Sequence, residues 1–408
     1  MIVGGGESAA CAVASLRESN CADPIVWLGE EPPYERPPLS KDFLSGRIAA
    51  PPPVAQDVLA DPKIDHRFDQ RVGAIDRPSQ RIMLDGGGTL PYSRLLLATG
   101  ARARHLSFVG ARAERWRTLR RLEDACALQL LLGAGRRIVI IGAGLIGLEV
   151  AAAAAAAGAS VTVIESRERV LARVLPPELG AMIEERHRIA GVVFHFETGI
   201  ASVDGAEDGE RILLHSGERI VADTILVAIG SEPSVELAAD CGLAVANGIV
   251  VDSHLRTMDP TIWASGDCCA FPLPLAGGRH VRLESWQAAR TLGEIAGRNM
   301  AGVAQHIDLV PWFWSDQYEL GIQGAGFIDG TSRDIRHDAG NGSVLTFHLD
   351  AEGRMVGASG VGPNTSIAKS IKRAREIIAR RLVCDPIQLA DPARPFWNIL
   401  RSGAAADA

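Results

Sequence analysis

A chain of 408 residues with 47% hydrophobic content can bury two or three separate cores. Its net charge of −7 disfavours nucleic acid as a partner, because phosphate backbones call for a concentrated positive surface. No uninterrupted apolar run reaches the roughly 20 residues of a membrane helix and no cationic leader opens the chain, so a cytoplasmic protein away from the membrane is expected.

The chain opens on a short apolar strand, Met1-Ile2-Val3, followed at once by Gly4-Gly5-Gly6-Glu7-Ser8-Ala9 and a helix expected over 8–19. In a dinucleotide-binding turn the first glycine makes the sharp bend and the second lets backbone approach the pyrophosphate. A third small residue, here Ala9, lets helix and strand pack closely. The helix N–H groups then hold the anion. The next strand, Ile25-Val26-Trp27-Leu28-Gly29, ends in Glu30, an acidic residue about 20 positions on, where a ribose hydroxyl is bound. The proline-rich stretch from Glu31 to Lys41 cannot continue a central strand and reads as a rigid loop. Residues 71–97 read as hairpin strands ending in Leu95-Leu96-Leu97-Ala98-Thr99-Gly100.

After a helix expected over 122–132 and a strand over 137–141, the pattern returns as Gly142-Ala143-Gly144-Leu145-Ile146-Gly147. Its acidic strand end is Val161-Thr162-Val163-Ile164-Glu165, and Ile225-Leu226-Val227-Ala228-Ile229-Gly230 echoes residues 95–100. Such a repeat marks a duplicated nucleotide-binding domain. Two bound dinucleotides imply electron transfer. A strand then ends in Gly266-Asp267, which offers a carboxylate and N–H groups to a cofactor's sugar chain. From about residue 308 the texture becomes alternating and aromatic, with Trp312, Phe313 and Trp314, and a helix follows over 365–383. Its Lys369, Lys372, Arg373, Arg375, Arg380 and Arg381 form either a solvated face or a docking surface for an acidic partner. The fold class is α/β: two Rossmann-like, three-layer dinucleotide-binding domains and a C-terminal α+β domain.

The seven cysteines, Cys11, Cys21, Cys126, Cys241, Cys268, Cys269 and Cys384, are scattered, with neither a CxxC nor clustered metal or iron–sulfur ligands. Most of them read as small core hydrophobes in a reducing compartment, and the vicinal pair Cys268-Cys269 bridges only with strain.

The segments Pro33-Tyr34-Glu35-Arg36-Pro37-Pro38-Leu39-Ser40-Lys41, Ala98-Thr99-Gly100-Ala101, Gly266-Asp267 and Pro311-Trp312-Phe313-Trp314-Ser315-Asp316-Gln317 resemble the FAD-dependent, NADH-linked ferredoxin reductases of the glutathione-reductase fold. The resemblance runs the whole chain. It implies an FAD-binding domain made of 1–105 and 236–306, an NAD-binding domain over 106–235 and a C-terminal domain over 307–408. By it the first fingerprint, with Gly4, Gly6 and Ala9, takes FAD, and Glu30 binds the adenosine ribose, although the short loop leaves Glu31 as the alternative. Arg36 and Lys41 lie along the pyrophosphate and near the isoalloxazine, and Ala98-Thr99-Gly100 closes over the cofactor. Asp267 bonds the ribityl or pyrophosphate region, and Trp314 stands beside the pyrimidine end of the flavin.

Glu149, two residues past Gly147, is placed by the spacing on the first turn of its helix, where a carboxylate complements the positive helix end. The resemblance pairs it instead with Lys41 near flavin N5, where the ammonium offsets the negative charge of the reduced cofactor. The second fingerprint, Gly142, Gly144 and Gly147 with Gly230, takes NADH, because Glu165 favours a free ribose 2′-hydroxyl and repels a phosphate; Arg167 and Arg169 leave some use of NADPH open. Ser231-Glu232-Pro233 departs from the less charged residues of the family.

Disulfide reductases of this superfold carry a cysteine pair where this chain has Leu39, Ser40 and Lys41, so thiol chemistry is disfavoured. The acceptor implied is an acidic [2Fe–2S] ferredoxin that feeds a dioxygenase or a cytochrome P450, as in aromatic hydrocarbon catabolism. Arg290 and the basic helix would steer it. A monomer or weak homodimer is expected. The alternative is a flavoprotein binding module like apoptosis-inducing factor, which keeps the cofactor sites but turns over slowly.

Overall fold

The computed structural model describes residues 1–400 other than 329, 331 and 341. The chain divides into two units, each assembled from separate stretches of sequence. One holds Met1–Glu35, Pro51–Arg102 and Glu232–Pro311; the other holds Arg36–Ala50, Ala103–Ser231 and Trp312–Ala408.

The first unit is built on a five-stranded parallel sheet in the order Ile262–Ala264, Leu95–Leu97, Ile2–Val3, Ile25–Gly29, Ile64–Phe68. Its central strands are apolar along their whole length, as strands covered on both faces must be. The helix Glu7–Glu18 packs on the helix Trp286–Ala301 through Gly293 and Gly297, where a methyl would overlap the Ser8 and Ala12 carbonyl oxygens. The expected hairpin over 71–97 resolves into a three-stranded antiparallel meander, Val72–Asp76, Arg81–Leu84 and Thr89–Pro91. Leu95–Leu97 leaves it for the parallel sheet, because all three leucines are buried and period-two alternation stops there.

The second unit repeats the plan: a parallel sheet in the order Val193–His195, Ser160–Ile164, Arg137–Ile141, Thr224–Val227, Trp116–Arg117, with an antiparallel meander over Ile200–Ala206, Gly209–Leu214 and Arg219–Ala222. It also contains a five-stranded antiparallel sheet, Trp312–Gln317, Leu320–Gly326, Met355–Pro363, Val344–Leu349 and Arg333–Asp338, on which the helix Asn364–Ala379 packs. Ile140, Leu148 and Val163 of the nucleotide-type sheet and its helix share one buried cluster with Ile322, Val344 and Val361 of the antiparallel sheet. The architecture is the α/β arrangement expected from the sequence. The basic helix is shorter than expected: it stops at Ala379, and Arg380 and Arg381 lie beyond it. Arg375 is turned inward over the Trp312 ring at 5.1 Å, and burial lowers its pKa.

Candidate functional site

In the first unit, the glycine turn is held by backbone on one side and open on the other. Gly4 has φ +135°, and a Cβ there would overlap the carbonyl oxygen of Ala98. The turn is fixed by Gly4 N donating to Leu28 O at 2.8 Å and Ala98 N donating to Val3 O at 2.8 Å. Trp27 Nε1 donates to Gly4 O at 2.8 Å. Gly6 caps the helix Glu7–Glu18 with no side-chain cap, and nothing lies within 4 Å of where its Cβ would stand. An uncapped helix start with open space beside it is a cradle for an anion. Ala9 is fully buried at the strand–helix contact.

Around this cradle, Glu30 follows the strand end and lies 3.9 Å from Arg71 Nε, while Glu31 accepts from Tyr34 OH at 2.8 Å. Thr99 Oγ1 donates to Ser234 O at 2.6 Å and fixes the turn before Gly100. Asp267 sits in the single turn Gly266–Cys268, which is tied to the glycine helix through Ser265 Oγ and Ser8 Oγ, 2.7 Å apart and buried. Burial raises the pKa of Glu7, against the pull of Arg290, whose Nη1 is 3.5 Å away. Cys268 and Cys269 are fully buried free thiols.

The second unit reproduces the cradle. Gly142 has φ +103°, a Cβ there would stand 2.5 Å from Ala228 O, and Gly142 N donates to Ile164 O at 2.8 Å. Gly144 is the uncapped helix start with nothing within 4 Å. Gly147 faces the Gly142 carbonyl so closely that a methyl would overlap it. Glu165 accepts from Ala143 N at 2.8 Å and from Arg167 N at 2.9 Å, which fixes the strand-end carboxylate beside the turn. Arg169 directs its guanidinium at the carbonyls of Val170 and Ala172, at 3.4 and 3.3 Å. Gly230 has φ +100° and open space around it.

Also in the second unit, three side chains from two segments converge on the carboxylate of Glu149. Lys41 Nζ is 2.8 Å from Glu149 Oε1, Ser315 Oγ donates to the same oxygen at 2.5 Å, and Ser40 Oγ donates to Oε2. Ser40 ends the short 3₁₀ turn Pro37–Ser40 that the proline run enforces, Glu149 lies on the helix Leu145–Ala156, and Ser315 on the strand Trp312–Gln317. Glu149 is 4% exposed, so its charge is held by partners and not by water. Burial raises the pKa of the neighbouring Asp316; Lys41 opposes that shift, and Glu149 and Asp42 add to it. On the same strand, Trp312 and Trp314 stack with centroids 5.1 Å apart. Arg36 Nη1 donates to Arg120 O at 2.9 Å.

The sequence placed Glu149 on the first helical turn; the helix begins at Leu145, so Glu149 is on its second turn, facing Lys41. Ser40 and Ser315, which donate to Glu149, are not singled out by the sequence reading. Their signal was their place inside the two most distinctive segments, next to Lys41 and Trp314. No helix among the described residues is long and apolar enough to cross a membrane.

Residues 1–293 match the family described as pyridine nucleotide-disulphide oxidoreductase, and residues 312–400 match the reductase C-terminal domain. The chain is 40% identical over 400 residues to the anthranilate 1,2-dioxygenase system ferredoxin–NAD(+) reductase component of Burkholderia cepacia, covering 96% of this chain and 97% of that protein. It is 35% identical over 416 residues to putidaredoxin reductase of Pseudomonas putida, covering 99% and 97%. A crystal structure of the covalent putidaredoxin reductase–putidaredoxin complex superposes with a TM-score of 0.92 at 35% identity over 99% of this chain and 98% of that one. With its cradles, its strand-end glutamates and these full-length relatives, the chain belongs to the pyridine nucleotide-disulphide oxidoreductases, in the form that carries the reductase C-terminal domain.

Proposed function

We propose that the protein is an FAD-dependent NADH:ferredoxin oxidoreductase that passes electrons from NADH to a [2Fe–2S] ferredoxin serving an oxygenase. The observation that carries this is the repeated cradle: two uncapped helix starts, Gly6 and Gly144, each open where a pyrophosphate would lie. The ferredoxin–NAD(+) reductase components of oxygenase systems, to which the chain is similar over nearly its whole length, support the acceptor.

FAD, when bound, supplies the exchange between two-electron hydride transfer and one-electron release. Gly4, Gly6, Ala9, Glu30, Arg36, Ala98, Thr99, Gly100 and Asp267 hold it, with 1–105 and 236–306 as its domain. Gly142, Gly144, Gly147, Glu165 and Gly230, within 106–235, hold NADH. Glu165 takes the ribose hydroxyls, and the commitment of Arg169 to loop carbonyls supports NADH over NADPH. Lys41, Glu149 and Trp314 act at the flavin ring. Glu149, clasped by Ser40 and Ser315, holds the Lys41 ammonium in place, so a positive charge is fixed where negative charge develops. Trp314, stacked on Trp312, gives a flat apolar wall that excludes water. Segment 36–50 holds no cysteine, so electrons leave at the flavin and not through a thiol. The C-terminal domain, 307–408, supplies Ser315 and Trp314. The seven free thiols among the described residues support a cytoplasmic location.

The absorption spectrum of the purified protein tests this. A flavin spectrum that bleaches promptly with NADH and recovers on adding a [2Fe–2S] ferredoxin is expected. A colourless protein that takes up no FAD, or a reduced protein that ferredoxin leaves unchanged, overturns it, the latter in favour of a binding module.

A further inference from the structure

Behind Glu149 and Ser315 the second unit contains a buried line of polar side chains, Gln317, His187 and Tyr318, that the proposed chemistry does not use. Ser315 Oγ, which donates to Glu149, accepts from Gln317 Nε2 at 3.1 Å. Gln317 Oε1 is 2.9 Å from His187 Nε2, and His187 Nδ1 is 3.2 Å from Tyr318 OH. Ser315, Gln317 and His187 are all at most 1% exposed.

The direction of every bond in this line follows from its carboxylate end. The Glu149 carboxylate, paired with the Lys41 ammonium, only accepts, so the Ser315 hydroxyl proton points at Glu149 and its oxygen receives the amide N–H of Gln317. That turns the Gln317 carbonyl to His187, which therefore carries its proton on Nε2 and accepts at Nδ1 from Tyr318. Burial, which pushes the His187 pKa down to about 4, keeps the ring neutral and able to play both parts. The charged or titratable groups facing the line are Lys41, Asp316 and, through Asp316, Asp42 at the Glu149 end, and Arg186 at the other. Phe194 closes the ring edge of His187.

The outer end is built with care. Tyr318 and Glu319 form the two-residue turn between Trp312–Gln317 and Leu320–Gly326, and Tyr318 has φ +56°. That position favours Gly, Asn or Asp, so a tyrosine is kept there against a backbone cost. Its ring lies under the Arg186 guanidinium at 3.9 Å, and Arg186 is clamped by Glu319 at 2.7 and 3.0 Å. The clamp holds the ring so that its hydroxyl meets His187 Nδ1.

We propose that Tyr318, His187, Gln317 and Ser315 are positioning residues, a one-way chain of hydrogen-bond donors that fixes the Glu149 carboxylate in the orientation that captures Lys41. The proposal rests on the reading of Lys41 and Glu149 given above only for its consequence at the flavin; the chain itself is tested without it.

The protein has four lysines, Lys41, Lys63, Lys369 and Lys372, so pulsed acetylation of the FAD-loaded enzyme, read site by site by mass spectrometry, reports the capture of Lys41 against three internal controls. Gln317→Leu and His187→Leu are expected to raise the Lys41 rate selectively by about fivefold, the scale of one lost buried hydrogen bond. His187→Gln, which returns an N–H to Gln317, restores it. Tyr318→Phe, which removes one hydroxyl from a partly exposed ring, gives a smaller selective rise. An unchanged Lys41 rate, a rise shared by all four amines, or no rescue by His187→Gln overturns the proposal. A selective rise combined with normal hydride transfer in Lys41→Met would leave the chain standing and remove instead the role of the pair at the flavin.

Discussion

Replacing Gly144 by alanine separates folding from cofactor binding. Gly144 starts the helix Leu145–Ala156 at φ −81°, an ordinary value for alanine, and its Cβ would meet nothing within 4 Å. The fold therefore loses only the preference for glycine over alanine at a helix start, about 0.5–1 kcal/mol, a fall in Tm of roughly 1–4 °C. The methyl, however, occupies the face on which a pyrophosphate must approach the helix N–H groups. The KM for NADH should rise at least about tenfold, equivalent to roughly 1.4 kcal/mol, with FAD content unchanged. Gly147→Ala is the contrast, because its Cβ overlaps Gly142 O and stands 3.3 Å from Ala228 Cβ and Ile140 Cγ2. It should cost about 1–3 kcal/mol of stability through overpacking. Thermal melts and stopped-flow reduction by NADH on the two variants are the assay. A folded Gly144→Ala enzyme that binds NADH as the parent does would refute the assignment of the open face.

The same logic in the first unit has Gly6→Ala purifying folded but depleted of flavin, read from the ratio of visible to ultraviolet absorbance; full flavin occupancy would contradict it. His187 has its pKa lowered by burial to about 4, so the folded state binds fewer protons than the unfolded chain between that value and the ordinary 6.5. Its contribution is complete above about pH 6.5 and is lost as pH falls through that window, about 2 kcal/mol between about pH 7 and pH 5. Urea unfolding at the two pH values should show that loss, and His187→Gln should be flatter by this amount. On the exposed face of the helix Asn364–Ala379, Lys372→Glu with Arg373→Glu should raise the KM for ferredoxin several-fold at low salt, with the difference shrinking as salt is added. A KM indifferent to ionic strength in both proteins would dismiss that face as the docking surface.

What the sequence by itself determined is what depends on neighbours close along the chain. The cradles were legible because a glycine turn, the helix it starts and the glutamate ending the next strand lie within about 25 residues, and each residue type answers a local backbone demand. The repeat of the pattern was legible for the same reason, and with it the parallel sheets. The environment of Glu149 was not. Its partners Ser40 and Ser315 are separated from it by 109 and 166 positions, and Gln317 meets His187 across 130. Polar side chains that meet at such separations leave no period in the sequence, and their hydrogen bonds acquire worth only when packing has removed water from around them. The helix phase of Glu149 and the inward turn of Arg375 over Trp312 were likewise set by tertiary packing. So was the shared core of Ile140 and Val163 with Ile322 and Val361, because which apolar faces bury each other is decided by assembly of the sheets and not by any one of them alone.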